Sequence, residues 1–330
     1  MQRKIVTALV KIAISAAILF FLFRSIDMEA FFDVVKGVTP VAVILAALLF
    51  ILSQLISTYR WSVLLRKDAE VPYLKLLSFY FIGIFFNNFL PSLIGGDVVK
   101  GVYLYRETGK GSSSIASIFM DRYMGLVSII TVVSISLVFG YRGLMEMGGG
   151  KFVTLFFIFV VSFLMTSAFI WIKFLHSWLV KLLLRVHLFS LNKKIESFYE
   201  IFMEYSKARD RVLKAYGISF LVQFCIIGAY IVLGASIGIT ISPFYYFLFI
   251  PLSIAVAMLP ITLAGAGVRE AAFVFFFSRA GATSEEAMAL SLLLFVIIVL
   301  VSLAGGVEFL RAGKKVKKLE DDMASLGKEV

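Results

Sequence analysis

The chain has 330 residues, of which 61% are hydrophobic and 16% are charged, and its formal net charge is +11. This balance excludes an ordinary soluble domain, in which about a quarter of the residues are charged. A single cysteine, Cys225, excludes an internal disulfide, and two histidines without cysteine partners are a poor ligand set for zinc or haem. We therefore predict an integral membrane protein with no metal or cofactor. Its basic excess reflects membrane topology, so we expect no nucleic-acid partner.

The long apolar runs of the chain predict membrane helices, each of which needs roughly 20 residues. The alternation typical of a membrane β-barrel is absent, so we predict an all-α polytopic fold with about six transmembrane helices. The first of them follows the basic start MQRK, and we expect an anchor rather than a cleaved signal peptide. The six predicted spans are 5–23, 41–58, 115–139, 152–172, 215–237 and 286–305.

Two further apolar runs, 74–90 and 244–259, each end in Leu-Pro followed by a glycine-containing segment. Proline removes a helical hydrogen bond and glycine loosens the backbone, so we expect both runs to break within the membrane as re-entrant helical hairpins. The break segments LPSLIGGDVVK, at 90–100, and LPITLAGAGVR, at 259–269, align without a gap. This match predicts an internal repeat, each copy having two spans, one broken hairpin and a third span.

The distribution of Lys and Arg predicts how the repeats are oriented, because these residues gather on the cytoplasmic side of membrane proteins. With both termini in the cytoplasm, most of the 32 basic residues fall inside if the two hairpins enter from opposite sides. The repeat is therefore expected to be inverted, as in transporters whose sites lie near the midplane. We predict one membrane domain over 1–310, with repeats at about 1–140 and 150–310, a cytoplasmic amphipathic segment at 173–214 and a basic tail at 311–330.

Three basic residues are candidates for binding a lipid headgroup. Lys100 and Arg269 occupy matching positions near the start of each returning half-helix, where free N–H groups and a partial positive charge suit a phosphate. The alternative is that both side chains reach the interface and fix the depth of the hairpins. Arg122 lies within a predicted span, where a charge is costly unless it is paired or faces a wet cavity. Its alternative is a position nearer the interface, bonded to headgroup phosphates.

Polar and glycine residues of the first break are further candidates for substrate binding. Asn87 and Asn88 precede the proline by about one turn. Their side-chain amides are also able to satisfy the carbonyl groups that the proline leaves without partners. Gly95 and Gly96 permit a turn or a close approach of the backbone. Their role would then be conformational instead of direct contact with a substrate.

Three acidic residues are candidates for proton coupling: Asp97, Asp121 and Glu270. Asp97 is able to balance Lys100, to cap the return helix or to bind a coupling proton, and capping is favoured. Asp121 lies beside an arginine in the motif MDRYMGL. Glu270 is expected to be either the ion-pair partner of Arg269 or a proton acceptor. No Ser/His/Asp set has a suitable context, so an enzyme is not predicted.

Three stretches carry a resemblance to a known family. NNFLPSLIGGDVVKGVYLYRETG, ASIFMDRYMGL and MLPITLAGAGVREAAFVFFF resemble, in order, the signature blocks of the lysylphosphatidylglycerol synthase transmembrane family, also called the flippase-like domain family. In the aminoacyl-phosphatidylglycerol synthases this membrane part is linked to lipid translocation, and a separate soluble domain transfers the amino acid. Because the chain ends at Val330, the resemblance implies a stand-alone member without that transferase domain.

The resemblance implies a protein that moves a polar or anionic lipid between the leaflets of a bacterial or archaeal inner membrane. Its polar positions would then be Lys100, Arg122, Arg269 and Glu270. One alternative is a carrier of sugars linked to polyprenyl phosphate. Others are a membrane-embedded headgroup transferase and a scaffold that binds a lipid-synthesis enzyme through 173–214. Membrane lipids are the expected partners, and a lipid-synthesis enzyme and a homo-oligomer are the protein partners considered.

Overall fold

The computed structural model describes residues 2–65, 69–89, 95–146, 148, 150–171, 205, 207–257, 262 and 265–326. The part described is all helical and contains no strand, which confirms the predicted all-α fold. Most of the predicted amphipathic segment at 173–214 lies outside the described residues. The helices are α1 (Gln2–Ser25), α2 (Met28–Lys36), α3 (Pro40–Leu64), α4 (Tyr73–Phe89), α5 (Gly95–Thr108), α6 (Gly111–Glu146), α7 (Gly150–Trp171), α8 (Arg209–Ser236), α9 (Pro243–Ala257), α10 (Val268–Arg279) and α11 (Ser284–Leu326).

Each of the six predicted spans coincides with a helix of the structure. By length and composition, α3, α6, α8 and the Ser284–Ala312 part of α11 are able to cross a membrane. Shorter apolar stretches lie in α1 (Ala13–Ser25), α7 (Val153–Ala168) and α9 (Pro243–Ala257). The chain is therefore a multi-pass membrane protein. Helix α11 continues through Leu326, so most of the predicted tail at 311–330 is helical and continuous with the last span.

Side chains at helix starts explain where two of the spans begin. Thr39 precedes Pro40, the first residue of α3, and its side chain accepts a hydrogen bond from the Ala42 N–H. Thr283 precedes α11 and exchanges two hydrogen bonds with Glu286, since each side chain accepts from the backbone N–H of the other residue. This reciprocal pair is a capping box, which satisfies two N–H groups that a helix start leaves free.

The first broken run forms an antiparallel helical hairpin of α4 and α5. Near the break, Asn87 Oδ1 accepts a hydrogen bond from the Gly96 N–H at 2.9 Å. At the open end, Lys75 and Glu107 form an ion pair. The contacts thus pair the end of α4 with the start of α5 and the start of α4 with the end of α5, so the two helices run antiparallel. The predicted first hairpin is confirmed.

The second broken run forms a comparable hairpin of α9 and α10. Gly265 adopts a φ of +78°, and a Cβ built on it would lie 2.9 Å from the Ala257 carbonyl oxygen. Farther from the break, the rings of Tyr246 and Phe277 meet edge to face with 5.3 Å between their centroids. The order of these contacts is again antiparallel, as in the first hairpin.

The spans that precede the two hairpins, α3 and α8, pack side by side in opposite directions. At one end the Thr39 N–H donates to Ser236 Oγ at 2.9 Å, and at the other Arg60 Nη1 donates to Ser219 Oγ at 3.0 Å. Helix α4 of the first repeat packs on α11 of the second, and the corresponding helix α9 of the second repeat packs on α6 of the first. Exchanging the two repeats therefore leaves this pattern of contacts unchanged. The repeat is therefore inverted, as the charge distribution predicts.

Candidate functional site

A cavity of about 880 Å³ lies at the first hairpin, between α5 and α6. This volume is within the usual range for a site that encloses a small molecule. Most of its wall is apolar, while Asn87, Asp97 and Arg122 supply polar groups. The cavity is thus amphipathic. The apolar wall includes Val98, Val102, Ile115, Ile118 and Phe119.

Arg122 is the cation that lines this cavity. Its Nε donates to Asp97 Oδ2 at 2.7 Å, yet 47% of its side-chain surface is accessible. Within the described part of the chain, its two terminal nitrogens have no ion-pair or hydrogen-bond partner. The guanidinium group therefore offers N–H donors to an occupant of the cavity, and the functional role of Arg122 stays a prediction.

Lys100 lies behind Asp97 and is only 3% exposed. Its Nζ is 3.4 Å from Asp97 Oδ1 and 3.6 Å from Asp121 Oδ2. The ammonium group also lies over the rings of Trp61 and Tyr80, at 4.7 and 4.6 Å from their centroids. Lys100 does not line the cavity, so direct headgroup contact has no support in this conformation and stays a prediction. The alternative, a side chain that reaches the interface, is wrong because Lys100 is enclosed.

Asp97 is an ion-pair partner in this structure. Its two oxygens face Lys100 and Arg122, and its position in the first turn of α5 favours a negative charge. Among the described residues, no backbone N–H donates a hydrogen bond to the Asp97 carboxylate. The balancing of Lys100 is the role that the geometry fits, and capping of the return helix stays a prediction. Its use in proton coupling stays a prediction.

Asp121 joins the same cluster from α6 and is 1% exposed. In addition to Lys100, it contacts Arg60, whose Nε donates to Asp121 Oδ1 at 2.8 Å. Arg60 is 6% exposed and is also bonded to Ser219 of α8. Because buried charges need partners, Arg60 and Asp121 hold three helices, α3, α6 and α8, together at this level.

Arg60 is the residue of the cluster that sequence reasoning missed. The predicted span ended at 58, so Arg60 was placed outside the membrane, on the cytoplasmic side. Helix α3 continues to Leu64, so Arg60 lies inside it. Ser53 and Ser57 precede it on the same face at i, i+4 and i+7 spacing, and both are buried. That polar stripe in an apolar helix was the available signal.

The asparagines and glycines of the first break act mainly on the hairpin itself. Asn87 Oδ1 accepts from the Gly96 N–H, and donation by its amide to the carbonyl groups of the break stays a prediction. A Cβ built on Gly96 would overlap the Gly83 carbonyl oxygen, which explains the need for glycine there. Gly95 begins α5. The Nδ2 of Asn88 is buried and has no hydrogen-bond partner among the described residues.

Arg269 and Glu270 form a closed ion pair at the second break. Arg269 Nε donates to Glu270 Oε1 at 2.9 Å, and its guanidinium carbon lies 4.3 Å from the centroid of the Phe295 ring. Glu270 is 1% exposed, and its Oε2 accepts from the Gly267 N–H at 2.7 Å. Glu270 is thus the ion-pair partner of Arg269, one of its two predicted roles. The described contacts do not bring Arg269 and Lys100 together as one clamp.

Two oppositely directed helical hairpins, buried ion pairs and an amphipathic cavity define a polytopic membrane protein of the inverted-repeat class. A family model described as "Lysylphosphatidylglycerol synthase TM region" matches residues 8–306, and the chain belongs to this family. A UPF0104 membrane protein of Pyrococcus horikoshii is 29% identical over 101 residues, which are 29% of this chain and 30% of that protein. The match thus spans less than a third of that relative's length. No solved structure matches the chain.

Proposed function

We propose that the protein binds the phosphate-bearing headgroup of a membrane lipid in the α5–α6 cavity and moves the lipid between leaflets. The observation that carries this proposal is Arg122, which offers free N–H donors at the polar end of an apolar cavity. A guanidinium group binds phosphate oxygens in a bidentate manner, and apolar walls suit acyl chains. The same chemistry suits a polyprenyl phosphate, so the experiment must separate the two.

The family supports a lipid as the ligand, because its name concerns a synthase of a modified phospholipid. The inverted repeat supports transport, since opposite orientations allow one site to face either leaflet in turn. The proposal places both termini in the cytoplasm and the protein in the cell inner membrane. It assigns transport without covalent chemistry, so a role as a headgroup transferase would contradict it.

The test is leaflet exchange of fluorescent phosphatidylglycerol in proteoliposomes that contain the purified protein. We expect Arg122→Gln to slow exchange at least about tenfold, as loss of a charge-assisted bond of about 1.5–3 kcal/mol implies. Arg142→Gln is the matched control, because Arg142 is an exposed arginine near the other end of the same helix. It should exchange lipid at the wild-type rate.

Equal exchange by the wild type and Arg122→Gln would overturn the assigned site. If the folded wild type moved no phospholipid but moved a fluorescent prenyl phosphate, the protein would be a prenyl-phosphate carrier. If it moved neither, transport would be wrong, and a scaffold role through 173–214 would be the next hypothesis.

A further inference from the structure

The buried groups beside the cavity form one chain of alternating charges that links α3, α5 and α6. In order they are Arg60, Asp121, Lys100, Asp97 and Arg122, with each neighbouring pair in contact. The first four are at most 8% exposed, so water screens them little. Arg122 alone among the five reaches the cavity with a large accessible surface.

The chain of charges is not neutral. Three cations and two carboxylates give it a net charge of +1. Each carboxylate lies between two cations, so the excess positive charge lies on the two end residues of the cluster. One end is Arg60, which is buried and hydrogen-bonded to Ser219, and the other is Arg122, which faces the cavity. The basic residues Arg106 and Lys110, beyond the cluster, are exposed, and water and salt screen their charge.

We propose that the cavity selects lipids whose headgroup carries a single net negative charge. This inference rests on the proposed function and adds the charge class of its substrate. An apolar cavity that encloses a charged group favours an occupant that brings the local sum to zero, because an uncompensated charge in a low dielectric is costly. A phosphodiester with an uncharged headgroup meets this condition. A zwitterionic headgroup leaves the sum at +1, and a phosphomonoester, which is close to doubly charged at neutral pH, makes it negative.

Arg60 is then a positioning residue that sets selectivity without touching the lipid. Arg60 and Lys100 both contact Asp121, so Lys100 is not the only cation that neutralises this carboxylate. Without Arg60 the remaining four groups sum to zero, and the Arg122 charge is matched within the cluster. The preference for an anion should therefore fall although the cavity wall is unchanged.

The test compares exchange of three fluorescent lipids in proteoliposomes: phosphatidylglycerol with one negative charge, zwitterionic phosphatidylcholine, and phosphatidic acid. We expect the wild type to move phosphatidylglycerol at least about tenfold faster than either of the others, which corresponds to about 1.4 kcal/mol. Arg60→Met should bring the ratio of phosphatidylglycerol to phosphatidylcholine close to one. Asp97→Asn raises the cluster to +2 and should move the preference toward phosphatidic acid. The Arg142→Gln variant should keep the wild-type ratios.

The outcomes separate this inference from the proposed function. If the wild type moves all three lipids equally while Arg122→Gln loses all three, transport stands and selection by charge is overturned. If Arg122→Gln has no effect, the proposed function fails first. The wild-type ratios alone decide the question if a cluster variant does not fold, and folding is checked by size-exclusion profile and thermal unfolding. Ratios that Arg60→Met leaves unchanged would overturn the role of Arg60.

Discussion

The two hairpins have matching chain positions but differ in what surrounds them. In the first, α4 and α5 enclose ionised groups that reach across to α3 and α6, and an open cavity borders them. In the second, Phe249 of α9 is stacked on Phe276 of α10, and Phe249 is only 1% exposed. Its ion pair closes between adjacent residues of α10.

This difference indicates that the inverted repeat provides a symmetric scaffold while one copy carries the charged site. Aromatic packing in the second hairpin contributes apolar burial, which stabilises the fold. The first hairpin buries charged groups where the second buries aromatic rings. A buried ion pair stabilises the fold little, but removing one partner is costly because the other charge stays buried. The proposed site therefore lies at the first hairpin, and the second hairpin is packed mainly through aromatic rings.

The largest effect is expected at the glycines that the hairpins share. Gly96→Ala should lower the free energy of unfolding by about 3 kcal/mol or more, because the new Cβ overlaps a backbone oxygen that has no room to move. Gly265→Ala should also destabilise, since its φ is positive and its Cβ would lie close to the Ala257 oxygen. Thermal unfolding in detergent measures both.

Gly217→Ala is the control for this pair, because a Cβ at that helical position meets nothing within 4 Å. It should leave the unfolding temperature unchanged or raise it. A wild-type unfolding temperature for Gly96→Ala would show that the two arms are not in close contact, and the hairpins would no longer be comparable.

An effect of similar size separates the two hairpins by their basic residues. Lys100→Met should cost about 3–5 kcal/mol, since each of the two buried carboxylates loses one of its two cation partners. Arg269→Met should cost less, about 1–3 kcal/mol, because Glu270 keeps its bond to the Gly267 N–H. Chemical denaturation of both variants measures the difference.

A double substitution sharpens that result. Asp97→Asn in the Lys100→Met background removes one of the two carboxylates that lost Lys100 as a partner, so part of the lost stability should return. Equal losses in Lys100→Met and Arg269→Met, or no recovery in the double variant, would mean that the first hairpin is not held by a charge network.

Much of this architecture is predictable from the sequence because apolar runs, Leu-Pro breaks and the side preference of Lys and Arg are local or additive signals. The spans, the hairpins and their opposite orientation follow from them. The enclosure of Lys100 does not, since Asp121 and Trp61 reach it from helices distant in the chain. Arg60 was missed because the position of the α3 end decides whether this residue lies inside the span, and helix ends are the least certain part of a hydropathy pattern.

The smallest effect concerns how each hairpin satisfies a backbone N–H beside its break. In the first, Asn87 of α4 accepts from Gly96 and so ties the two arms together. In the second, Glu270 accepts from the Gly267 N–H, and both residues lie at the start of α10, so this bond does not connect α10 to α9. Asn87→Leu should therefore cost about 1–3 kcal/mol, because the Gly96 N–H is left unpaired.

Asn88→Leu is the matched comparison, with the same change one residue later. The Nδ2 of Asn88 has no partner within the described residues, so its removal should leave stability unchanged or raise it slightly. Thermal unfolding and lipid exchange are measured together. Equal destabilisation by the two substitutions would contradict a specific tie through Asn87. If Asn88→Leu kept its stability but lost exchange, Asn88 would be a ligand contact, and the polar wall of the site would extend farther toward the break.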